Sequence, residues 1–357
     1  MTTVLISGAG VAGPTLAYWL ARTGLTPTVV ERSEGLRSSG NPVDVRGRAL
    51  PVAEAMGITS ELRKYATQAT GMVVLDADGR VKARTEMGAP GEVEIARTDL
   101  AAVLYRAAAG DAEFVFGDSI ATLNGDADGV DVTFERGAPR RFDYVIGADG
   151  LHSTVRRLAF GPEEQFVRHA GLYIATLPLA GKPPEPHDVV LYNVPRRLVA
   201  LHPARGEAGA AFIFRGPPLP GSAYRSLGQQ KQIVTTVYRG VGWRVPALLE
   251  QVSAADDLYF DAVSRVVLPR WSRGRIGLVG DAASCVSLFG DGSSLAMAGG
   301  FTLASALASG AGFAGYQSEH EKLTAPKQRR IGIAAGFLVP KTRLGIATRN
   351  AAAPVLF

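Results

Sequence analysis

Several large classes of protein are excluded by what this chain of 357 residues lacks. It holds a single cysteine, Cys285, so neither an intrachain disulfide nor a cysteine-based zinc site can form, and the expected state of that thiol is buried and inert. Its histidines, His152 and His202 among them, are scattered without the spacing of metal ligands. No uninterrupted apolar run reaches the roughly 20 residues of a membrane span. The opening MTTVLISGAG has no basic region followed by a long apolar one, so no secretory signal is read and the cytoplasm is the expected location. Neither Ser153 nor Ser287 sits in a Gly-x-Ser-x-Gly elbow, which argues against a hydrolase. Lys and Arg exceed Asp and Glu by 38 to 33, yet the arginines occur only as short doublets such as Arg140-Arg141 and Arg329-Arg330. With no basic run interleaved with aromatics, nucleic acid is not an expected partner. Internal repeats and long low-complexity segments are also absent.

What is present is ordinary globular composition, 46% hydrophobic and 20% charged, at a length for two or three domains. The clearest signal lies in the first fifty residues. Thr3–Ser7 reads as a short buried strand, followed by Gly8-Ala9-Gly10-Val11-Ala12-Gly13 and a helical pattern through Leu16, Trp19 and Leu20 that stops at Arg22-Thr23-Gly24. A second strand, Thr28–Glu31, ends in a carboxylate eighteen residues beyond Gly13. Strand, glycine turn, helix, strand and acid make a dinucleotide-binding unit. Gly8 permits the tight turn, Gly10 lets backbone approach a pyrophosphate, and Gly13 lets helix and strand pack. The helix N-terminus offers unpaired N–H groups to the pyrophosphate, and Glu31 is positioned for ribose hydroxyls. An acid there disfavours a 2′-phosphate, so FAD or NAD fits better than NADP.

Two later segments repeat the design of an apolar strand ending in a carboxylate: Phe142–Gly147 into Asp149-Gly150, and Gly274–Val279 into Gly280-Asp281-Ala282-Ala283. A short helix capped by Ser153 and carrying Arg156 is predicted after the first. Ligands of open α/β sheets bind at such strand ends. Taken singly, Asp149 and Asp281 could equally be helix caps; both together with the glycine unit point to a cofactor.

With these motifs in order, the sequence resembles the class A flavin-dependent monooxygenases, the para-hydroxybenzoate-hydroxylase-like family of aromatic and polyketide hydroxylases. The resemblance rests on Gly8–Gly13 with Glu31-Arg32, Arg97-Thr98-Asp99-Leu100, Asp149-Gly150…Arg156, Leu268–Ser272 and Gly280-Asp281, and spans nearly the whole chain. It implies an α/β fold: a Rossmann-like (GR2-type) FAD-binding domain, an inserted β-sheet substrate domain and C-terminal helices. It implies that FAD is bound by Gly8, Gly10, Ala12, Gly13, Glu31, Arg32, Arg97, Asp149, Gly280, Asp281, Gly292 and Ser293. In that scheme Arg97 lies on the ribityl side, and Gly280 and Asp281 serve the ribityl–pyrophosphate region. Gly292 and Ser293 belong to a glycine loop and helix start aimed at the flavin ring, where Gly292 is expected to use positive φ and the helix to begin near Ser294. Asn41–Arg46 resembles the strand passing the ring, which makes Asp44 and Arg46 candidates to face flavin or substrate; no catalytic base is assigned. NADPH or NADH is the implied transient reductant. Oxygen would reach an aromatic or polycyclic small molecule through a flavin C4a-hydroperoxide. The chain departs from its relatives at Ser284, where histidine is common, and at a loop one residue short with Leu288 near the usual proline. Those departures keep open a flavin oxidase or dehydrogenase that inserts no oxygen and, more distantly, a non-catalytic FAD-binding protein.

The motif positions divide the chain. Residues 1–70, 95–165 and 263–318 are expected to form a discontinuous FAD-binding domain, residues 71–94 and 166–262 the substrate domain, and residues 319–357 packed C-terminal helices. Within the insert, strands are predicted at Asp188–Tyr192, Leu198–Leu201 and Ala210–Phe214, and helices at Gln229–Val237 and Val245–Val252.

Overall fold

The computed structural model describes residues 1–36, 41–181, 185–203, 208–286 and 291–356. In chain order, β1 (Thr3–Ser7), α1 (Ala12–Arg22) and β2 (Thr26–Glu31) come first. Next are β3 (Pro42–Val45), α2 (Ala49–Ala55), α3 (Thr59–Lys64), β4 (Gly71–Leu75) and β5 (Val81–Glu86). Strand β6 (Val93–Ala96) runs directly into α4 (Arg97–Ala108). Five strands follow: β7 (Glu113–Phe116), β8 (Ile120–Gly125), β9 (Val130–Phe134), β10 (Arg140–Phe142) and β11 (Tyr144–Gly147), and then α5 (Thr154–Ala159). The middle of the chain supplies β12 (Val167–Leu179), β13 (Asp188–Val194), β14 (Arg197–Pro203), β15 (Ala208–Arg215), α6 (Leu227–Tyr238), α7 (Val245–Ala254) and β16 (Tyr259–Val266). The last elements are β17 (Ser272–Arg273), β18 (Ile276–Leu278), α8 (Asp281–Ser284), α9 (Gly292–Ala308), α10 (Gly312–Leu338) and α11 (Arg343–Leu356).

A six-stranded sheet of order β17-β18-β11-β1-β2-β7 carries the N-terminal unit. Its central strands are parallel, and Val4, Leu5, Ile6, Val29, Val145 and Ile146 are buried in one core with residues of α1, α4 and α9, so the strands read as short apolar runs. Helix α9 crosses α1 at close range: a Cβ on Gly300 would lie 3.1 Å from the Leu16 nitrogen.

A seven-stranded sheet, β16-β12-β15-β14-β13-β4-β5, forms the second layer. One face packs Tyr192, Phe212 and Phe214 against Val234, Tyr238, Leu248 and Val252 of α6 and α7. The opposite face carries Leu191, Leu198 and Ile213, which meet Ala335 and Val339 at the end of α10. There Arg215 donates to the carbonyls of Val339 (2.6 Å) and Ala335 (2.7 Å), caps that a helix C-terminus otherwise lacks. The strands and helices expected between 188 and 252 are present, each slightly longer than its apolar core.

The expected division of the chain cuts through three elements. The boundary at 94/95 falls inside β6, that at 262/263 inside β16, and that at 318/319 inside α10. Strand β16 stays paired with β12 as far as Val266, across a bulge between His169 and Leu172, and α10 is one helix with Pro326 accommodated within it.

Candidate active site

Strands β18, β11, β1 and β2 lie side by side and parallel, so the turns after them emerge along one edge of the sheet. That edge gathers Gly8–Gly13, Glu31, Asp149 and Gly280-Asp281. The three motif glycines have different reasons to be glycine. Gly8 has φ +106°, and a Cβ there would come within 2.7 Å of the Ala148 carbonyl oxygen. A Cβ on Gly13 would sit 1.9 Å from the Gly8 carbonyl oxygen. Gly10 has no such neighbour within 4 Å; its missing side chain leaves space outside the protein. Helix α1 starts there with Val11 as its cap and no side chain bonded to its end, which leaves its N–H groups and positive dipole end available to an anion.

The acids behave differently from one another. Glu31 does not await a ribose with both oxygens free: Oε2 accepts from Ala9 N–H (2.9 Å) and Oε1 from Ser33 N–H (3.0 Å). It therefore braces the glycine turn and keeps further lone pairs that can accept from another donor. Arg32 beside it is exposed. Asp149 is partly buried with one carboxyl oxygen fully enclosed, and that burial raises its pKa. One oxygen accepts from Ser7 Oγ (3.3 Å) and Val155 N–H (3.1 Å), as a helix cap does; the other is buried without a partner. Asp281 is the first residue of α8 and has no hydrogen-bond or ion-pair partner among the described residues.

The expected Ser153 cap is present, accepting from Arg156 N–H at 2.9 Å. Arg156 itself is fully buried and joins the two later motifs. Its guanidinium donates to the Leu151 carbonyl and, at 3.0 Å, to the Ala282 carbonyl.

Strand β3 pairs antiparallel with β6 and brings a second group of residues to the same region. Arg97, first in α4, is half-buried and its guanidinium has no hydrogen-bond or ion-pair partner among the described residues. Ser294 clasps β3: its hydroxyl donates to the Asp44 carbonyl at 2.8 Å and accepts from Arg46 N–H at 2.9 Å. The Arg46 guanidinium bonds Asp291 at 3.1 Å, and Lys327 reaches the other Asp291 oxygen. Burial pushes the Asp44 carboxyl up to about 6; Arg46 opposes the shift, and Glu94, Glu92 and Asp291 add to it. Glu94, directly across from Asp44, lies 3.0 Å from His202 Nε2 and also holds Thr67. Burial alone would raise Glu94, yet His202 and Thr67 outweigh it and lower its pKa.

Two expectations near the ring loop are corrected. Helix α9 begins at Gly292, not near Ser294, and Gly292 does not use positive φ. Nothing lies within 4 Å of a Cβ built there, so its smallness leaves open space and relieves no backbone strain. Ser293 is buried just behind it. Ser287, Leu288 and Gly290 lie outside the described residues. Sequence reasoning places Asp291 only within the glycine loop and misses Glu94, His202 and Lys327, because only the pairing of β3 with β6 and the packing of β14, α9 and α10 bring them to Asp44.

These residues fit FAD. An uncapped helix end beside the empty side of Gly10 suits a pyrophosphate, the acid after β2 suits a ribose, and two unpartnered opposite charges, Arg97 and Asp281, suit a polar chain between them. The same assignment emerges from comparison with known proteins. A family described as "FAD binding domain" matches residues 1–324. An uncharacterized protein of Mycobacterium tuberculosis is 42% identical over 334 residues, covering 89% of this chain and 90% of its own. A flavin-dependent monooxygenase of Legionella longbeachae is 35% identical, covering 85% of this chain and 80% of its own. The crystal structure of tetracycline destructase Tet(51) superposes with a TM-score of 0.85 at 30% identity, over 98% of this chain and 95% of that one. The chain belongs to the FAD-binding-domain family and is an FAD-dependent monooxygenase. Among the described residues no helix is long and apolar enough to cross a membrane, and no group of His, Cys, Asp and Glu could hold a metal ion.

Proposed function

We propose that this enzyme uses NADPH or NADH and O2 to hydroxylate an aromatic or polycyclic small molecule. In this reading FAD lies along Gly8, Gly10, Ala12, Gly13, Glu31, Arg32, Arg97, Asp149, Gly280, Asp281, Gly292 and Ser293. The bound flavin supplies the redox and oxygen chemistry. The protein orients it, excludes water and sets the charge around it.

The observation that carries the substrate class is the face of the seven-stranded sheet that looks toward β3 and β6. Residues paired directly across the strands share a face: Leu191, Ala200, Ala211 and Thr176 form one row, and Leu198, Ile213 and Ile174 the next. His202, two residues beyond Ala200, is on this face, and its contact with Glu94 fixes which way the face points. Leu191, Leu198 and Ile213 are covered by Ala335 and Val339, whereas Ile174, Ala200 and Ala211 stay partly exposed, and this apolar remainder with His202 at its margin suits a flat, largely apolar ligand. The likeness to a tetracycline destructase supports a polycyclic one. Residues 71–86 and 167–266 thus serve as the substrate-binding unit. The uncapped start of α9 would favour a negative charge lying beyond its first N–H groups. In this reading Asp44, its carboxyl raised by burial to about 6, and Arg46 face the flavin or the substrate.

The test begins with the bound flavin spectrum. A panel of aromatic and polycyclic compounds is expected to contain ligands that shift it. Turnover of such a ligand under ¹⁸O₂ should put label in the product. Hydrogen peroxide in full yield with no labelled product would replace this reading with an oxidase.

A further inference from the structure

We propose that Tyr259 is a further cofactor-contacting residue, its phenol held against the polyol chain of FAD by hydrogen bonds that run inward from His152 through Asp261. The proposal rests on the FAD site described above and adds residues that no glycine or acid motif includes.

Tyr259 opens the edge strand β16 and pairs with Thr176, which puts its side chain on the same sheet face as Ala200 and His202. The strand runs past α8, and its far end bonds the chain just after it: Val266 N–H donates to the Cys285 carbonyl. Nearer its start, Asp261, two residues on from Tyr259 and on the same face, lies 3.4 Å from His152 in the turn after Asp149, and Arg156 ties that turn to the Ala282 carbonyl, so the start of β16 faces the two acidic turns. A Cβ on Gly280 would be 3.0 Å from the Ala12 Cβ, so Asp281 sits immediately past the helix end assigned to the pyrophosphate. The stretch of ligand that follows a pyrophosphate here is the polyol. Arg97 and Asp281, the two charges without partners, act on the Tyr259 hydroxyl in opposite senses, Arg97 favouring and Asp281 opposing its ionisation.

Among the described residues Tyr259 has one hydrogen-bond partner, Asp261, at 3.5 Å. The other Asp261 oxygen accepts from Ala262 N–H (2.7 Å) and lies 3.4 Å from His152 Nε2. His152 Nδ1 is 3.0 Å from Glu163. Asp261 and Glu163 hold the imidazole charged at neutral pH, so Asp261 is fixed between a cation and a phenol. Burial keeps the phenol protonated. A phenol that donates to Asp261 retains lone pairs, and those can accept from a ligand hydroxyl.

The experiment compares FAD with ADP, which reaches only the adenosine and pyrophosphate end of the site. For Tyr259→Phe apoprotein the FAD dissociation constant is expected to rise about three- to tenfold, the loss of one neutral hydrogen bond, with ADP affinity unchanged. Asp261→Ala should weaken FAD similarly, and the double variant should lose little more than the worse single one. Equal weakening of ADP and FAD would mean that Tyr259 acts through the fold, and an unchanged FAD constant would mean no contact; either overturns the proposal. Additive losses would overturn the role of Asp261. If wild-type apoprotein takes up no FAD, the underlying site reading fails instead, and the two failures are distinct.

Discussion

The Ser294 hydroxyl donates to the Asp44 carbonyl at 2.8 Å and so ties the start of α9 to β3, 250 residues away in sequence. Because the same oxygen accepts from Arg46 N–H, its removal strands one donor and one acceptor in a half-buried position. Ser294→Ala is expected to cost about 1–3 kcal/mol, read by urea denaturation of the apoprotein. It should also loosen the Asp44–Arg46 edge of the site, seen as weaker ligand-induced shifts of the flavin spectrum. An unchanged denaturation midpoint would show that water replaces the clasp without loss.

Gly10 and Gly13 offer a matched pair of substitutions. Gly13→Ala drives a methyl into the Gly8 carbonyl, so the apoprotein itself should melt earlier. Gly10→Ala meets no protein atom within 4 Å. Its apoprotein should melt as wild type does, while FAD affinity falls at least tenfold because the methyl occupies the ligand's approach. Normal FAD binding by Gly10→Ala would remove the pyrophosphate from this turn.

Glu31 both braces the glycine turn and borders the ribose position. Glu31→Ala should weaken FAD on the order of 10–100-fold, since charge-assisted hydrogen bonds are worth about 1.5–3 kcal/mol each. Glu31→Gln, which can accept through only one oxygen, should fall between. Equal affinities in all three proteins, measured by quenching of flavin fluorescence, would confine Glu31 to the surface.

His152 sets a pH window. Its pKa in the folded chain is about 10 against an ordinary 6.5, raised by Asp261 and Glu163 against the opposing effect of burial. A raised pKa stabilises the fold fully below the unfolded value and loses that contribution as pH climbs through the folded one. The stability gap between wild type and His152→Gln should therefore be widest near pH 6 and close between roughly pH 7 and 10. Half of the side chain is solvent-exposed, so the gap should also shrink with salt. A gap that does not vary with pH would assign the loss to packing.

The cofactor side of the molecule is legible in the sequence because its signals are local. Thr3–Glu31 encodes strand, turn, helix and acid within one short stretch, and Ser153 caps its helix three residues from its partner. Strand β12 is not legible, although it has thirteen residues: Gly171 and Pro178 interrupt its alternation, and a bulge between His169 and Leu172 shifts its register. The ionic group around Asp44 is invisible for another reason. Glu94, His202, Asp291 and Lys327 come from four separate elements or their edges, and nothing in their local sequence marks them as neighbours. Tyr259 escapes for the same reason: its meaning depends on which strand lies beside α8.

Arg156 carries a consequence for how the chain is made. Its guanidinium is wholly enclosed, and one of its two carbonyl partners, Ala282, follows 126 residues later. At translation rates of about 5–20 residues per second, that partner is synthesised roughly 6–25 s after the arginine. Until then its partners are local, the Leu151 carbonyl and Glu163 at 3.4 Å, and the contact that joins the Asp149 turn to the Gly280-Asp281 turn is missing. The glycine turn and β1–α1–β2 can form early on the ribosome, whereas the two acidic turns must wait and assemble together. The enclosure of Arg156, and with it the joining of the two acidic turns, is thus completed only once the Gly280-Asp281 segment has been made.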